Sequence, residues 1–133
     1  PSGVAVDSDG NVWVADACNH RLEKFDAEGK YLGAFGSLGT KEGELSYPYD
    51  IAFAPDGLMY VAEFNNHRVS VFDKDGRYVR MIGLAGTEPG EFNQPWSLTV
   101  DAQGRLLVSD TKNNRVQILQ VSKPAPQAVA RAK

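Results

Sequence analysis

The sequence predicts an all-β repeat protein built from small sheets of four antiparallel strands. First, a short motif recurs with a constant spacing of 47 residues, marked by Arg21, Arg68 and Arg115. Second, Asp-Gly pairs of the kind found in tight hairpins separate runs rich in β-branched and aromatic residues. Third, polar and apolar residues alternate in several of these runs, as expected of strands with one buried face. A fixed period of this length indicates a repeat architecture.

The first repeat, residues 1–47, contains four predicted strands. Ser8-Asp9-Gly10 forms the turn after the first strand, Asp16 to His20 a second turn, and Asp26-Ala27-Glu28-Gly29 a third. A longer polar connection, residues 37–47, leads into the next repeat. The predicted strands, in order, are Gly3–Asp7, Asn11–Ala15, Arg21–Phe25 and Lys30–Gly36.

The later repeats follow the same plan until the chain departs from it. Residues 48–94 form a second complete unit, whereas residues 95–120 form a third unit with three strands only. Residues 121–133 are rich in Ala and Pro and are predicted to be a disordered tail. The outer edge of the third unit is then either unpaired or paired by a segment near Val121–Lys123 or by a partner chain.

The amino-acid composition argues against several classes of function. The formal charge is −3, with 14 Lys and Arg against 17 Asp and Glu, and gives no reason to expect nucleic acid. The single cysteine, Cys18, excludes an internal disulfide and any multi-cysteine metal site. No apolar run approaches the roughly 18 residues that a membrane span needs. The chain starts without Met inside a repeat, so either upstream sequence has been removed or the chain begins at a repeat boundary. Because either alternative can leave out targeting information, no compartment is predicted.

The run Val12-Trp13-Val14-Ala15-Asp16 followed by Asn19-His20-Arg21-Leu22 resembles the NHL repeat, which is named for an Asn-His-Leu-type signature. The resemblance covers about residues 1–120. It implies a β-propeller, usually of six blades of four antiparallel strands around a central channel. Three blades are half of such a ring and cannot close it. Because open blade faces would expose apolar surface, we expect two copies to complete the ring, or another chain to supply the missing blades.

A carboxylate, an amide and a guanidinium recur around the same turn of every repeat. This constellation could suggest a catalytic cluster, but a set repeated in every unit is better explained as a structural hairpin network. Asn tolerates left-handed turn backbone, and a carboxylate can accept charge-assisted bonds from Arg. The predicted network consists of Asp16, Asn19, Arg21, Glu63, Asn66, Arg68, Asp110, Asn113 and Arg115.

Other residues with metal or nucleophile chemistry have plainer explanations. His20 and His67 occupy equivalent positions, and some six-bladed relatives bind zinc through histidines, but catalytic zinc needs three protein ligands and the third position is Asn114. The aspartates ahead of glycines, such as Asp7 and Asp9, fit turns better than a calcium loop. Cys18 has no neighbouring base to activate it. We therefore predict no catalytic residue, metal ligand or cofactor.

The positions that differ between repeats are more informative about binding. In a propeller, the turn after the second strand and the start of the first strand lie on the same face of the ring. Aromatic side chains there would act as interface anchors, unless the rings pack between blades. The candidate partner-binding residues are Tyr47, Tyr49, Phe64, Asn65, Trp96 and Lys112.

These observations predict a non-catalytic protein-interaction or scaffold module with a protein or peptide partner. The first alternative is a metal-dependent enzyme of the lyase or lactonase kind, which occurs on related six-bladed propellers. It would need histidines or carboxylates converging on the channel, and the repeated residues lie in hairpins instead. The second alternative, RNA binding as in some NHL proteins, would need a basic face.

Overall fold

The computed structural model describes residues 1–125, which form eleven strands in three antiparallel sheets. The first sheet contains β1 (Gly3–Val6), β2 (Val12–Asp16), β3 (Arg21–Phe25) and β4 (Tyr31–Phe35). The second contains β5 (Pro48–Phe53), β6 (Met59–Glu63), β7 (Arg68–Phe72) and β8 (Tyr78–Ile82). The third contains β9 (Pro95–Val100), β10 (Arg105–Asp110) and β11 (Arg115–Gln120). The all-β prediction, with sheets of four, four and three strands, is confirmed.

The strands of every sheet pair in chain order, so each sheet is a simple meander. In the third sheet β11 lies at the edge, and no strand among the described residues pairs with its outer side. The N–H groups of Val121 and Ser122 donate instead to the carbonyl of Gly104, at 3.0 and 3.1 Å. The described residues after β11, 121–125, therefore turn back to the β9–β10 hairpin and do not supply the missing strand. The predicted disorder of the tail concerns mostly residues outside the described ones.

The hairpin turns are held by their own aspartates. Asp7 Oδ1 accepts the N–H groups of Asp9 and Asn11, both at 2.9 Å, and Asp7 Oδ2 accepts the indole N–H of Trp13 at 3.0 Å. Gly10 completes the turn with a φ of 83°, which glycine adopts without a steric penalty. Burial alone would raise the pKa of Asp7, but these hydrogen bonds hold it below its ordinary value. The Asp7 carboxylate thus stabilises the turn in which it lies.

Two hydrophobic cores fill the spaces between neighbouring sheets. Strands β6 and β7 of the second sheet are buried along their whole length, because their alternating side chains enter both cores. The core shared with the first sheet contains Trp13, Ala15, Leu22, Leu45, Ile51, Met59, Val61 and Phe72. The core shared with the third contains Ala54, Tyr60, Ala62, Val69, Val71, Phe92, Leu98, Leu106 and Val108.

The connections between sheets, residues 37–47 and 84–94, are more than the polar linkers that the sequence suggested. Leu45 and Phe92 are fully buried in the two cores, one from each connection. The backbone of Leu45 forms an isolated parallel bridge with Leu38. Gly36 has a φ of 93°, and a Cβ there would lie 2.7 Å from Leu45 Cδ1, so glycine is needed for this close approach. Each connection therefore anchors itself between two sheets.

The first and third sheets each have one covered and one free face. On the free face of the first sheet Val4 and Val6 are 64% and 60% exposed, and on that of the third Val116 and Ile118 are 62% and 59% exposed. A propeller covers such faces with further sheets, so the arrangement fits a partial propeller. Within the described part of the chain, no helix is long and apolar enough to cross a membrane.

Candidate functional site

Most of the residues singled out from the sequence lie at one end of the sheets, here called the upper end. It is the end where the first strand of a sheet begins and where the turn between its second and third strands lies. In the second sheet, for example, Pro48 pairs with Glu63 and Glu63 pairs with Arg68. The turns there contain a short 3-10 helix at Ala17–Asn19 and again at Thr111–Asn113.

The three proposed network residues of the first repeat are in contact. Asp16 Oδ2 accepts hydrogen bonds from Asn19 Nδ2 at 2.9 Å and from Arg21 Nε at 3.0 Å. The bond from Asn19 is the main cause that holds the pKa of Asp16 below its ordinary value. The Arg21 side chain remains 42% exposed.

In the second repeat the equivalent cluster is buried. Glu63 Oε1 accepts from Asn66 Nδ2 at 2.7 Å, and Glu63 Oε2 accepts from Arg68 Nε at 2.7 Å and from the hydroxyl of Ser70. The side chains of Glu63 and Arg68 are 0% and 7% exposed. The N–H of Ser46 donates to Glu63 Oε1 at 3.2 Å, so the carboxylate also holds the end of the connection.

The third repeat places Asp110 at the centre of the same arrangement. Asn113 Nδ2 and Arg115 Nε donate to Asp110 Oδ2 at 2.9 and 2.8 Å, and Gln117 Nε2 donates at 3.1 Å. Burial alone would raise the pKa of Asp110, but these bonds and one from the N–H of Asn93 hold it below its ordinary value. The carboxylate is ionised and fully coordinated by donors, which favours an anchoring role over proton transfer.

The same Asn and Arg side chains reach across to the preceding connection, a contact that sequence reasoning missed. Asn66 Nδ2 donates to the carbonyl of Gly39 at 2.8 Å. The Arg68 guanidinium donates to the carbonyls of Thr40, Lys41 and Glu44 at 2.7, 3.2 and 2.9 Å. The third sheet repeats this set 47 residues later, with Asn113 on Gly86 and with Arg115 on Thr87, Glu88 and Glu91. Carbonyl acceptors leave no side-chain signal in a sequence, so only the structure could reveal them.

The histidines also have a main-chain role. Nδ1 of His20 accepts the N–H of Tyr47 at 3.1 Å, and Nδ1 of His67 accepts the N–H of Gln94 at 3.0 Å. Both histidines have left-handed backbone, with φ of 54° and 53°, as does Asn114. The prediction that the Asn of the motif is left-handed is wrong: Asn19 lies in the 3-10 turn, and His20 after it is the left-handed residue. No group of three or more His, Cys, Asp or Glu in the described residues is arranged to hold a metal ion.

Four rings at the upper end, Tyr47, Tyr49, Phe64 and Trp96, lie close together and are called the aromatic face. The centroid of the Tyr49 ring lies 4.8 Å from that of Phe64, 4.8 Å from that of Trp96 and 6.3 Å from that of Tyr47. Phe64 and Trp96 are themselves 5.6 Å apart in an edge-to-face arrangement. Trp96 is 53% and Tyr47 37% exposed, whereas Tyr49 and Phe64 are half-buried. The inner rings thus support exposed outer ones.

The two polar residues predicted for this surface differ in their freedom. Asn65 is exposed but tied to the connection, because its Nδ2 donates to Ser46 Oγ at 3.1 Å and its N–H to the carbonyl of Ser46 at 3.3 Å. Lys112 is exposed, and among residues 1–125 its one hydrogen bond is from its backbone N–H to the carbonyl of Asn93, at 3.0 Å. Its amine is therefore available at the rim of the third sheet. Cys18 is exposed in the equivalent turn of the first sheet.

Packed meander sheets, linked by connections that seal each junction, define the chain as part of a β-propeller. The chain belongs to the six-bladed β-propeller family: a family model described as "6-bladed beta-propeller" matches residues 35–120. A model of the NHL repeat matches residues 1–25, which contain the first motif. The NHL resemblance inferred from the sequence is confirmed.

Similarities to known proteins are consistent with this family. The chain is 44% identical over 52 residues to Protein brain tumor of Drosophila melanogaster, and 47% identical over 47 residues to NHL repeat-containing protein 3 of Homo sapiens. These segments are 39% and 35% of this chain, and 5% and 14% of the two relatives. A solved structure of streptogramin B lyase is similar with a TM-score of 0.70 at 20% identity, over 95% of this chain and 41% of that one. At this identity the likeness concerns the fold alone.

Proposed function

We propose that this chain is a non-catalytic protein-interaction module that binds a protein or peptide partner through the aromatic face. The observation that carries the proposal is the contiguous cluster of Tyr47, Tyr49, Phe64 and Trp96, with its two outer rings exposed to solvent. Exposed Trp and Tyr supply much of the binding energy at protein interfaces, because large rigid rings lose little conformational entropy. The half-buried Tyr49 and Phe64 fix the position of Trp96 before a partner arrives.

The polar groups around the cluster fit a peptide better than a nucleic acid. Asn65 directly follows Phe64, and Lys112 is exposed in the equivalent turn of the third sheet; a peptide offers carbonyls and carboxylates to such groups. The net charge of −3 provides no general attraction for phosphates. RNA binding therefore stays the second alternative.

A random peptide library displayed on phage tests the proposal. Peptides enriched on the immobilised wild-type chain should lose most of their binding on Trp96→Ala or Phe64→Ala. They should retain it on Val79→Ala, whose side chain is 45% exposed near the start of β8, at the end of the second sheet opposite the aromatic face. If no peptide is enriched, or if Val79→Ala weakens binding equally, the interaction function is wrong.

A stability measurement distinguishes a binding surface from a structural core. Trp13 is fully buried, so Trp13→Ala should cost about 3–5 kcal/mol of unfolding free energy. Trp96→Ala should cost much less, because half of the Trp96 side chain already faces water. Equal losses in chemical denaturation would show that the aromatic face is a packing feature.

We further propose that additional blades cover the two free sheet faces and complete a six-bladed ring. These blades come from a second copy or from another chain. The support is the apolar character of the free faces, with Val4 and Val6 on one and Val116 and Ile118 on the other. Light scattering at micromolar concentration tests the second-copy form, which a stable monodisperse monomer would contradict.

A metal-dependent lyase is the alternative that the fold likeness to streptogramin B lyase brings forward. An enzyme of that kind would need ligands or acid–base groups that converge on the channel. His20 and His67 instead direct Nδ1 at main-chain N–H groups of the last residue of their own repeats, Tyr47 and Gln94. Metal analysis of the purified protein is the test, since stoichiometric zinc or calcium would favour the enzyme.

A further inference from the structure

Tyr47, one of the two exposed rings of the aromatic face, has an unusual backbone conformation. Its φ is 50°, in the left-handed region that bulky side chains rarely adopt. Gln94 ends the second connection with a φ of 54°, so the conformation belongs to the repeat. The tyrosine ring does not, because glutamine stands at the equivalent position. The fold therefore fixes the backbone at position 47, but it does not require an aromatic side chain there.

His20 holds both the backbone and the ring of Tyr47. Nδ1 of His20 accepts the N–H of Tyr47 at 3.1 Å, and the two ring centroids lie 4.5 Å apart in an edge-to-face arrangement. The carbonyl of Tyr47 accepts the N–H of Phe64 at 3.0 Å. The ring of Tyr49 is farther from that of Tyr47, at 6.3 Å. Of these two neighbouring rings, the imidazole of His20 is therefore the nearer one, and it also binds the backbone.

The hydrogen bond between His20 and Tyr47 requires a neutral imidazole with its proton on Nε2. A protonated imidazole donates at both nitrogens and cannot accept the N–H of Tyr47. Two donors would then face each other where the neutral pair is 3.1 Å apart. Histidine is the side chain that ordinarily changes its charge between about pH 5 and 8. Mild acid should therefore remove this support of Tyr47.

The charged groups in the elements around His20 have partners of their own. The pairs are Asp16 with Arg21 in the same hairpin, Glu63 with Arg68 in the next sheet, Asp50 of β5 with the N–H of Leu98, and Glu44 of the connection with the N–H of Lys41. The other ionisable groups of these elements are exposed, namely the Pro1 amine, the Cys18 thiol and the side chains of Lys41 and Glu42. The buried carboxylates are thus occupied, and a positive charge on His20 would gain no ion pair with them that offsets the lost hydrogen bond.

We propose that His20 is a positioning residue of the aromatic face: its neutral imidazole holds Tyr47 beside Tyr49, and its protonation releases Tyr47 and weakens peptide binding. The inference rests on the proposed function and adds the residue and the condition that control it. His67 forms the matching hydrogen bond to Gln94, whose side chain is not part of the aromatic face. Control of the face is therefore assigned to His20, although the two hydrogen bonds are alike.

Nuclear magnetic resonance tests the positioning of Tyr47 without any peptide. The chemical shift of the Tyr47 amide proton is followed between about pH 7.5 and about pH 5.5, a range above the acid loss of stability expected from the aspartates. In the wild-type chain it should change together with the titration of the His20 ring. His20→Asn should abolish the change, since asparagine tolerates left-handed backbone, as at position 114, and carries no titratable group. His67→Asn is the matched control and should leave the change in place.

A Tyr47 amide proton that does not follow the titration of His20 would overturn the proposal. So would a pH response that disappears in His67→Asn and persists in His20→Asn. Because both variants keep a residue that tolerates the left-handed turn, each is expected to fold, and the comparison does not depend on loss of structure.

Peptide affinity at the same two pH values tests the consequence for binding. A histidine-free peptide from the phage selection should bind the wild-type chain on the order of five-fold more weakly at the lower pH, as expected for the loss of one hydrogen bond. His20→Asn should bind it weakly at both pH values, whereas His67→Asn should behave as the wild type. Equal affinities at the two pH values, or tighter binding at the lower one, would overturn the proposal and leave the interaction function standing. If no peptide is enriched, the interaction function fails instead, and the Tyr47 amide proton still decides whether His20 positions this residue.

Discussion

One residue position, the acidic residue that ends the second strand of each sheet, occurs in three environments. Asp16 has a half-exposed arginine partner, whereas Glu63 and Asp110 are buried and surrounded by donors. In the second sheet Glu63 also accepts from the N–H of Ser46 and the hydroxyl of Ser70, and in the third Asp110 accepts from the equivalent N–H of Asn93 and from Gln117. The contribution of this motif to stability therefore depends on how far the neighbouring sheet and connection bury it.

Glu63→Ala should destabilise the protein by about 3–5 kcal/mol, because it leaves the Arg68 charge buried without its partner. Asp16→Ala is the matched control at the equivalent position, and it should cost clearly less because solvent can hydrate Arg21. Chemical denaturation followed by circular dichroism measures both. Similar losses in the two variants would contradict the assigned difference in burial.

Acid should destabilise the fold through its buried aspartates. The pKa values of Asp7, Asp16 and Asp110 are lowered from the ordinary 3.8 in the folded state. Their contribution to stability is complete above the unfolded-state value and is lost as pH falls through the lower folded-state values, so the loss lies below about pH 4. Denaturation at a series of pH values should show this loss, and Asp16→Asn should make it shallower. A flat profile down to about pH 2.5 would mean that these bonds do not persist in solution.

At the scale of elements, the tight turn after the second strand links one sheet to the next. The turn ends at a left-handed residue, His20 in the first sheet and His67 in the second. The imidazole of this residue also accepts a hydrogen bond from the N–H of the residue that precedes the first strand of the next sheet. Asn114 provides the same backbone conformation in the third sheet. In every repeat, this position of the turn therefore needs a residue that tolerates left-handed backbone. Where that residue is histidine, its imidazole also links the turn to the start of the next repeat.

Replacing His67 tests these two contributions separately. His67→Ala should cost about 1–2 kcal/mol, since alanine disfavours left-handed backbone and leaves the N–H of Gln94 without its acceptor. His67→Asn should cost less, because asparagine tolerates that conformation, as it does at position 114. Thermal unfolding of the two variants measures both losses of stability. If alanine is tolerated better than asparagine, the backbone requirement is not the dominant one.

For the molecule as a unit, we expect the two free sheet faces to make the partial ring prone to association. Val4→Lys combined with Val116→Lys should reduce self-association without lowering the Tm, because both side chains already face solvent. A concentration series in light scattering measures this effect. Leu84→Lys is the control, since Leu84 is exposed but lies on neither free face. If Leu84→Lys reduces self-association equally, the reduction comes from added charge in general and not from the free faces.

The number of repeats, the strands, the turns and the family could be predicted from the sequence, because these depend on local pattern and constant spacing. The sequence also brought the right residues together around each carboxylate, since their separations of three and five positions place them in one hairpin. It misplaced the left-handed residue by one position, because His and Asn are adjacent in the motif. It also described the connections as polar, although Leu45 and Phe92 fill the cores.

The contacts that these residues make between sheets could not be predicted in the same way, because they depend on how the sheets pack. The carbonyls bound by Arg68 and Arg115 belong to residues 24 to 28 positions earlier, and backbone acceptors look alike at every position of a sequence. The burial of Glu63 and the exposure of Arg21 likewise depend on which sheet lies alongside. Local pattern fixes each sheet, whereas the packing of one sheet on another fixes which groups remain free to bind a partner.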